Sequence, residues 1–342
     1  MSSNLVGVSA PKIRLFEKRK LINLELCLSL PFFQMQNPNP LEGLRINFDE
    51  GSLLVLNISI AFIMFGVALG LRRENFTEVV QNPKGVLTGV VSQFLLLPAV
   101  TFLLVWLIRP HPGIALGMIL VAACPGGNVS NFFSSIGRGN VALSVSLTAI
   151  ATLLATVMTP LNFEVWGSIL PYTSAMIKSI SIDYLELFQT VVMILAIPLF
   201  IGIWFSAKLP RITRIIIKPI RWISMVILIG IIGIAFYNNF ELFIQYFHYL
   251  FFIVLLHNFV ALLTGYFFSR AMKNKNSDVR SVTIETGIQN SALGLIIIFT
   301  FFGGEGSMAI IAAWWGIWHI ISGFVVARIF TWRMSLVKVQ SQ

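Results

Sequence analysis

Nine stretches of this chain are long and apolar enough to cross a lipid bilayer, and that settles the class of fold before any single residue is considered. They run over residues 52–71, 85–108, 113–135, 140–163, 184–206, 221–237, 244–269, 281–303 and 308–331, the sixth being short and the third and eighth interrupted. A helix needs roughly 20 residues to span a hydrocarbon core of about 30 Å. Backbone groups in lipid must be paired within the protein, so only helices or closed barrels can cross it. The spans show helical or all-apolar periodicity and no alternation of the kind a barrel strand requires. The chain is 56% hydrophobic and only 11% charged, where a soluble domain carries about 25% charged residues. The fold class is therefore an all-α polytopic membrane protein.

The third span contains the feature that most needs explaining. Residues 122–131 read A-A-C-P-G-G-N-V-S-N. Proline removes a backbone donor and clashes with the preceding turn, and two glycines favour a break over continued helix. At membrane depth, unpaired backbone costs several kcal/mol per group, so a break is tolerated only where it is buried in protein or lines a cavity. Pro125, Gly126 and Gly127 thus mark a candidate functional site. The eighth span has a related signature, E-T-G-I-Q-N-S over 285–291, with Gly287 loosening the helix. Two interrupted helices in corresponding positions of two halves point to a transporter built as an inverted repeat.

The basic residues set the topology. Sixteen Lys and Arg fall in one set of loops and the C-terminal tail, from Arg72 to Lys338, whereas the alternate loops between spans hold only Arg109 and Lys178. This bias places the C-terminus in the cytoplasm. It also accounts for the net charge of +10 as a topology signal and a contact with anionic lipid, with no compact basic face for nucleic acid. The same rule keeps Lys12, Arg14, Lys18, Arg19 and Lys20 on the cytoplasmic side, which nine spans alone do not allow. A membrane-entering segment at 21–33 removes the conflict; it is either a signal-like apolar region or a short first helix, and a disordered arm is a third reading. The two cysteines, Cys27 and Cys124, are far apart and carry no disulfide or metal spacing.

Polar residues inside apolar spans are the informative ones. Glu285 is the one carboxylate placed deep in a span, Gln289 shares its helix face, and no Lys or Arg lies centrally in any span to pair with it. Ser130 and Asn131 follow the first break, and Ser144 and Thr148 stand four apart on the next span. Hydroxyls in membrane helices commonly bond back to their own carbonyls. Taken with Glu285, these groups form an oxygen-only set suited to a hard monovalent cation such as Na⁺, by extension from the behaviour of hard divalent ions. Gln93 reads equally as a ligand or an interhelical hydrogen bond. His257 with Asn258 reads as packing, while His319 lies among Trp314, Trp315 and Trp318.

A-C-P-G-G-N-V-S-N at 123–131, G-R-G-N-V-A-L-S-V at 137–145, E-T-G-I-Q-N-S at 285–291 and W-H-I-I-S-G at 318–323 resemble the bile acid:sodium symporter family over roughly residues 50–330. The resemblance implies nine or ten transmembrane helices in an inverted repeat, with two discontinuous helices crossing in a core domain beside a panel domain. Mapped here, the core covers about 85–163 and 244–331, the panel about 52–71 and 184–237, with an N-terminal segment 1–50 and a cytoplasmic tail 332–342. It implies a first sodium site of Ser130, Asn131, Ser144, Thr148 and Glu285. A second would use Gln93, Glu285 and Gln289 with the carbonyls of Thr286 and Ile288. Asn128, Asn290 and His319 match positions beside the substrate. Ala149 and Ala151 stand where many members carry hydroxyls, and the family's first helix is short or missing.

The function expected is secondary active transport by alternating access, with entry of two Na⁺ driving uptake of an organic anion, either bile-acid-like or a small carboxylate. A proton-coupled or uniporting carrier on the same fold is the alternative. An intramembrane enzyme using Glu285 with a histidine lacks an H-E-x-x-H motif or a serine nucleophile with a base, so no enzyme activity is expected. No resident cofactor, nucleic acid or obligatory protein partner is expected, and a bacterial inner membrane is the expected location.

Overall fold

The structure is a computed structural model that describes residues 50–71, 76–179, 184–238 and 240–340. Segment 21–33 lies outside them. Among the described residues every extended element is a helix. In chain order these are α1 (Glu50–Ala68), the short α2 (Thr77–Gln81), α3 (Pro83–Ile108), α4 (Pro112–Ala123), α5 (Val129–Ile136), α6 (Val141–Ile169), α7 (Pro171–Ser179), α8 (Tyr184–Lys208), α9 (Pro210–Asn238), α10 (Phe240–Ala271), α11 (Asn276–Gly287), α12 (Ser291–Phe301) and α13 (Gly306–Gln340). Among the described residues four stretches are continuous, long and apolar enough to cross a membrane: Pro83–Ile108, Val141–Ile169, Leu250–Ala271 and Gly306–Trp332. The third and eighth apolar spans are each split, into α4 with α5 and α11 with α12.

Two boundaries differ from the sequence reading. The sixth span looks short because Lys218, Pro219 and Arg221 precede its apolar run, yet α9 starts at Pro210 and continues through Pro219. The last helix likewise extends to Gln340, through residues read as a tail. Apolar length locates the lipid-facing part of a helix, and helices continue beyond it into the interface.

Packing follows the small residues. Gly265 of α10 lies so close to the backbone of Val282 and Thr283 in α11 that an added Cβ would stand 2.9 Å from both. Small residues of this kind let membrane helices approach closely. Gly202 of α8 meets Phe65 and Ala68 of α1 in the same way, beside an edge-to-face pair of Phe65 and Phe205 at 5.9 Å. From Gly113 to Ala123 every residue of α4 is buried, matching its all-round apolar sequence. By contrast α3 exposes Leu87, Leu95, Leu103 and Leu107 on its outer side, where lipid takes the place of protein.

A π-helical turn, Ser92–Leu96, interrupts α3. Pro98 cannot donate to the Phe94 carbonyl four residues back, which frees the ladder to widen there, and the Leu97 N–H reaches back to Ser92. The extra residue directs Ser92, Gln93 and Phe94 inward, where all three are buried.

Candidate functional site where two broken helices cross

The two helix breaks meet, and each supplies what the other lacks. Gly126 pairs with Gln289 in a short antiparallel bridge. The Gly127 N–H donates to the Ile288 carbonyl at 2.8 Å, and the Asn290 N–H donates to the Pro125 carbonyl at 2.8 Å. Asn258 of α10 donates from Nδ2 to the Gly287 carbonyl at 2.7 Å. Backbone that lipid could not satisfy is thus paired across the crossing and from a neighbouring helix. Gly126 is required by contact, since a Cβ there would overlap the Gln93 amide nitrogen and the Glu285 carboxylate. Gly127 is not so constrained; its nearest neighbour would be the Gln289 carbonyl oxygen at 3.5 Å.

Glu285, 1% exposed, sits one turn before the second break within a shell of hydroxyls. Ser130 Oγ donates to Oε2 at 2.5 Å, Ser144 Oγ to Oε2 at 3.0 Å, and Thr148 Oγ1 to Oε1 at 2.7 Å. Asn131 Oδ1 stands 3.4 Å from Thr148 Oγ1, and Ser134 donates to Ser144 at 3.1 Å. Thr148 also lies 3.0 Å from the Ser144 carbonyl, the back-bond expected of a membrane threonine. All five residues named for the first sodium site are therefore brought together. No Lys or Arg contacts the carboxylate among the described residues. Hydrogen bonds to a charged group contribute about 1.5–3 kcal/mol each, against an effective cost of several kcal/mol for burying an ion, which an oppositely charged partner is needed to offset.

The second set gathers at the backbone of Glu285 and Thr286. Gln93 Nε2 donates to the Glu285 carbonyl at 3.2 Å, and Gln289 Nε2 to the Thr286 carbonyl at 2.8 Å. Each glutamine then keeps its Oε1 buried with no hydrogen-bond partner among the described residues. Two orphaned acceptor oxygens beside a buried carboxylate suit a cation or a hydrogen-bond donor. The Thr286 and Ile288 carbonyls are here, each already accepting one hydrogen bond and retaining a second lone pair. Ser92 Oγ and Thr286 Oγ1, 2.9 Å apart, fasten α3 to α11 at this level.

Asn128 and Asn290 stand at the starts of the two half-helices that leave the crossing. The Asn290 side chain caps α12 by accepting from the Leu293 N–H at 3.2 Å. Asn128 is exposed, and its side chain makes no cap to α5. His319 is buried on α13, with Gly316 and Gly323 on the same helix face. These glycines pack against Ser291 and against Ile288 and Phe133 respectively, so this face of α13 runs along the second break. His257 lies elsewhere in its chemistry, bonded through Nε2 to Thr101 Oγ1 at 2.8 Å and packed 4.7 Å from the Trp315 ring.

Sequence reading missed four polar residues that matter. Asn258, set aside as packing, holds the Gly287 carbonyl. Asp278, in a loop-like polar stretch, is buried between Asn82 and Asn140. An Asn-Pro pair at 82–83 and an Asn opening an apolar run at 140 are helix-start signals that could have found the two caps; nothing in the sequence marks their shared partner.

A helical membrane protein with two broken helices crossing at an oxygen-lined, buried carboxylate has the architecture of a secondary transporter. The model of the Sodium Bile acid symporter family matches residues 57–246. An uncharacterised sodium-dependent transporter of Bacillus subtilis, YocS, is 30% identical over 287 residues, 84% of this chain and 85% of that protein. A probable chloroplastic sodium/metabolite cotransporter of Arabidopsis thaliana, BASS1, is 29% identical over 82% of this chain and 67% of its own length. The ileal sodium/bile acid cotransporter of Oryctolagus cuniculus is 29% identical over 73% of this chain and 71% of its own. The chain belongs to the sodium bile acid symporter family.

Proposed function

We propose that this protein couples the entry of two Na⁺ to the uptake of an organic anion by alternating access. The observation that carries this reading is the Glu285 carboxylate, buried without a cationic side chain among the described residues, ringed by the hydroxyls of Ser130, Ser144 and Thr148 and flanked by the orphaned oxygens of Gln93 and Gln289. One Na⁺ would take Ser130, Asn131, Ser144, Thr148 and Glu285. The other would take Gln93, Glu285, Gln289 and the Thr286 and Ile288 carbonyls. Hydroxyls that donate to the carboxylate can rotate their lone pairs toward a cation at little cost.

The first Na⁺ shell spans the crossing, with Ser130 and Asn131 from α5, Ser144 and Thr148 from α6 and Glu285 from α11, while the second joins Gln93 of α3 to α11 and the break that follows it. Binding would therefore lock α5 against α11 and favour the arrangement in which the half-helix starts face the substrate. An anion, either bile-acid-like or a small carboxylate, would be held by the N-terminal ends of α5 and α12, whose partial positive charge suits it, with Asn128, Asn290 and His319 lining the position. Alternating access would come from the helices around the crossing moving as a core against a panel formed by α1, α8 and α9. The bias of basic residues among the loops supports a cytoplasmic C-terminus and a bacterial inner membrane as the location.

Uptake into proteoliposomes under an inward Na⁺ gradient tests the proposal. Uptake should require Na⁺ and be abolished by Glu285→Ala. Equal uptake in K⁺ and Na⁺ buffers would sink the coupling, and uptake driven instead by a proton gradient would establish the proton-coupled alternative.

A further inference from the structure

The helices that supply most of the proposed sodium ligands all begin at one buried carboxylate, outside the membrane-deep site. Asp278, 3% exposed, accepts from Asn140 Nδ2 through Oδ1 at 2.9 Å and from Asn82 Nδ2 through Oδ2 at 3.0 Å. Both asparagines are helix caps. Asn82 Oδ1 accepts from the Gly85 N–H at the start of α3, and Asn140 Oδ1 accepts from the Leu143 N–H at the start of α6, each at 3.1 Å. Asp278 itself lies in the first turn of α11. Further bonds fix the same point: the Asn140 N–H donates to the Ser277 carbonyl at 3.1 Å, and Ser281 Oγ donates to the Asn140 carbonyl at 2.8 Å.

We infer that Asp278 is a positioning residue for the Glu285 cluster, setting the axial register of α3, α6 and α11 against one another. Glu285 is two helical turns beyond Asp278, about 10 Å along α11. Ser144 and Thr148 follow Asn140 by one and two turns on α6, and Gln93 follows Asn82 by three turns on α3. A slip of one residue at any of these starts, about 1.5 Å, would separate hydroxyls from carboxylate at the cluster. The chemistry at 278 is specific. Each asparagine has committed its oxygen to a cap and presents only N–H, so the residue between them must offer two acceptors. A carboxylate does; a carboxamide would set its own NH₂ against one of theirs.

The inference rests on the sodium reading of the cluster, and the test separates the two. Asp278→Asn, Asn140→Asp and the double variant are compared in proteoliposome uptake. In the double variant the carboxylate sits on α6 and the carboxamide on α11. The same hydrogen bonds then form with one direction reversed, and aspartate caps a helix as well as asparagine. Each single variant should raise the Na⁺ concentration for half-maximal uptake by about tenfold while uptake per folded protein recovers at saturating Na⁺, and the double variant should return within about threefold of wild type. A merely structural role would lower the amount of folded protein and leave the sodium dependence unmoved, which overturns the inference. So does a double variant no better than Asp278→Asn. Should the single variants fail to fold, a double variant that folds with wild-type sodium dependence supports the inference, and one that also fails overturns it. If wild-type uptake ignores Na⁺, the sodium proposal falls, and thermal unfolding of the same variants in Na⁺-free buffer decides: recovery in the double supports the link and its absence overturns it.

Discussion

Gly127 and Ile288 are joined across the crossing by a single backbone hydrogen bond of 2.8 Å, from the N–H of one broken helix to the carbonyl of the other. With its counterpart from Asn290 to Pro125, it makes each break the other's partner. Polar backbone can therefore sit among apolar helices at modest cost, and the side-chain oxygens around it are left for a ligand.

The neighbouring glycines should respond differently to substitution. Gly126→Ala forces a methyl group into Gln93 and Glu285, costing about 1–3 kcal/mol by overpacking and abolishing sodium-dependent uptake. Gly127→Ala meets only an ordinary contact at 3.5 Å and should keep sodium-dependent uptake. Thermal unfolding and uptake of the two variants check this; equal behaviour would contradict the crossing geometry.

Glu285→Gln keeps the size of the side chain and removes its charge. Sodium affinity should fall at least about a hundredfold, roughly 2.7 kcal/mol. In Na⁺-free buffer the same variant should be no less stable than wild type, because a buried, unpaired carboxylate has been replaced by a neutral group. Melting temperatures with and without Na⁺ read both effects; a variant destabilised in the absence of Na⁺ would count against an uncompensated charge at this position.

The two oxygen sets predict two interacting sodium ions. Uptake should rise sigmoidally with Na⁺, with a Hill coefficient above one and no greater than about two. Gln93→Leu, which removes one orphaned oxygen, should bring the coefficient to about one while leaving the Ser130 set intact. A hyperbolic wild-type curve would contradict the second site.

His257 Nε2 and Thr101 Oγ1 are paired, Nδ1 of the same ring has no hydrogen-bond partner among the described residues, and neither residue is assigned a ligand. Replacing both, as Thr101→Val with His257→Phe, removes donor and acceptor together, which is close to neutral for stability. The sodium dependence of uptake should be unchanged. A loss of Na⁺ response in that variant would draw His257 into the transport site.

What could be read in the sequence depended on how directly lipid constrains the residue. Glu285 was legible because a carboxylate deep in an apolar span has no solvent to explain it, and Pro125-Gly126-Gly127 because no helix passes it intact. Asp278 was not legible, since it follows Lys273 and Lys275 in a polar stretch where carboxylates are ordinarily solvated; only the approach of Asn82 and Asn140 from distant helices buries it. The mutual pairing of the breaks was equally hidden, because periodicity locates a break along one helix but not the helix that crosses it. The start of α9 was misplaced for a simpler reason: its first turns carry Arg211, Arg214 and Lys218, all exposed, and apolar runs do not register them.

The most direct test of the central claim is equilibrium binding of radioactive sodium to purified protein, wild type against Glu285→Gln. The wild type should bind Na⁺ saturably, and the variant should bind none over the same range. Binding by the variant equal to that of the wild type, or none by either, would contradict a sodium site built on Glu285 at the crossing of the two broken helices.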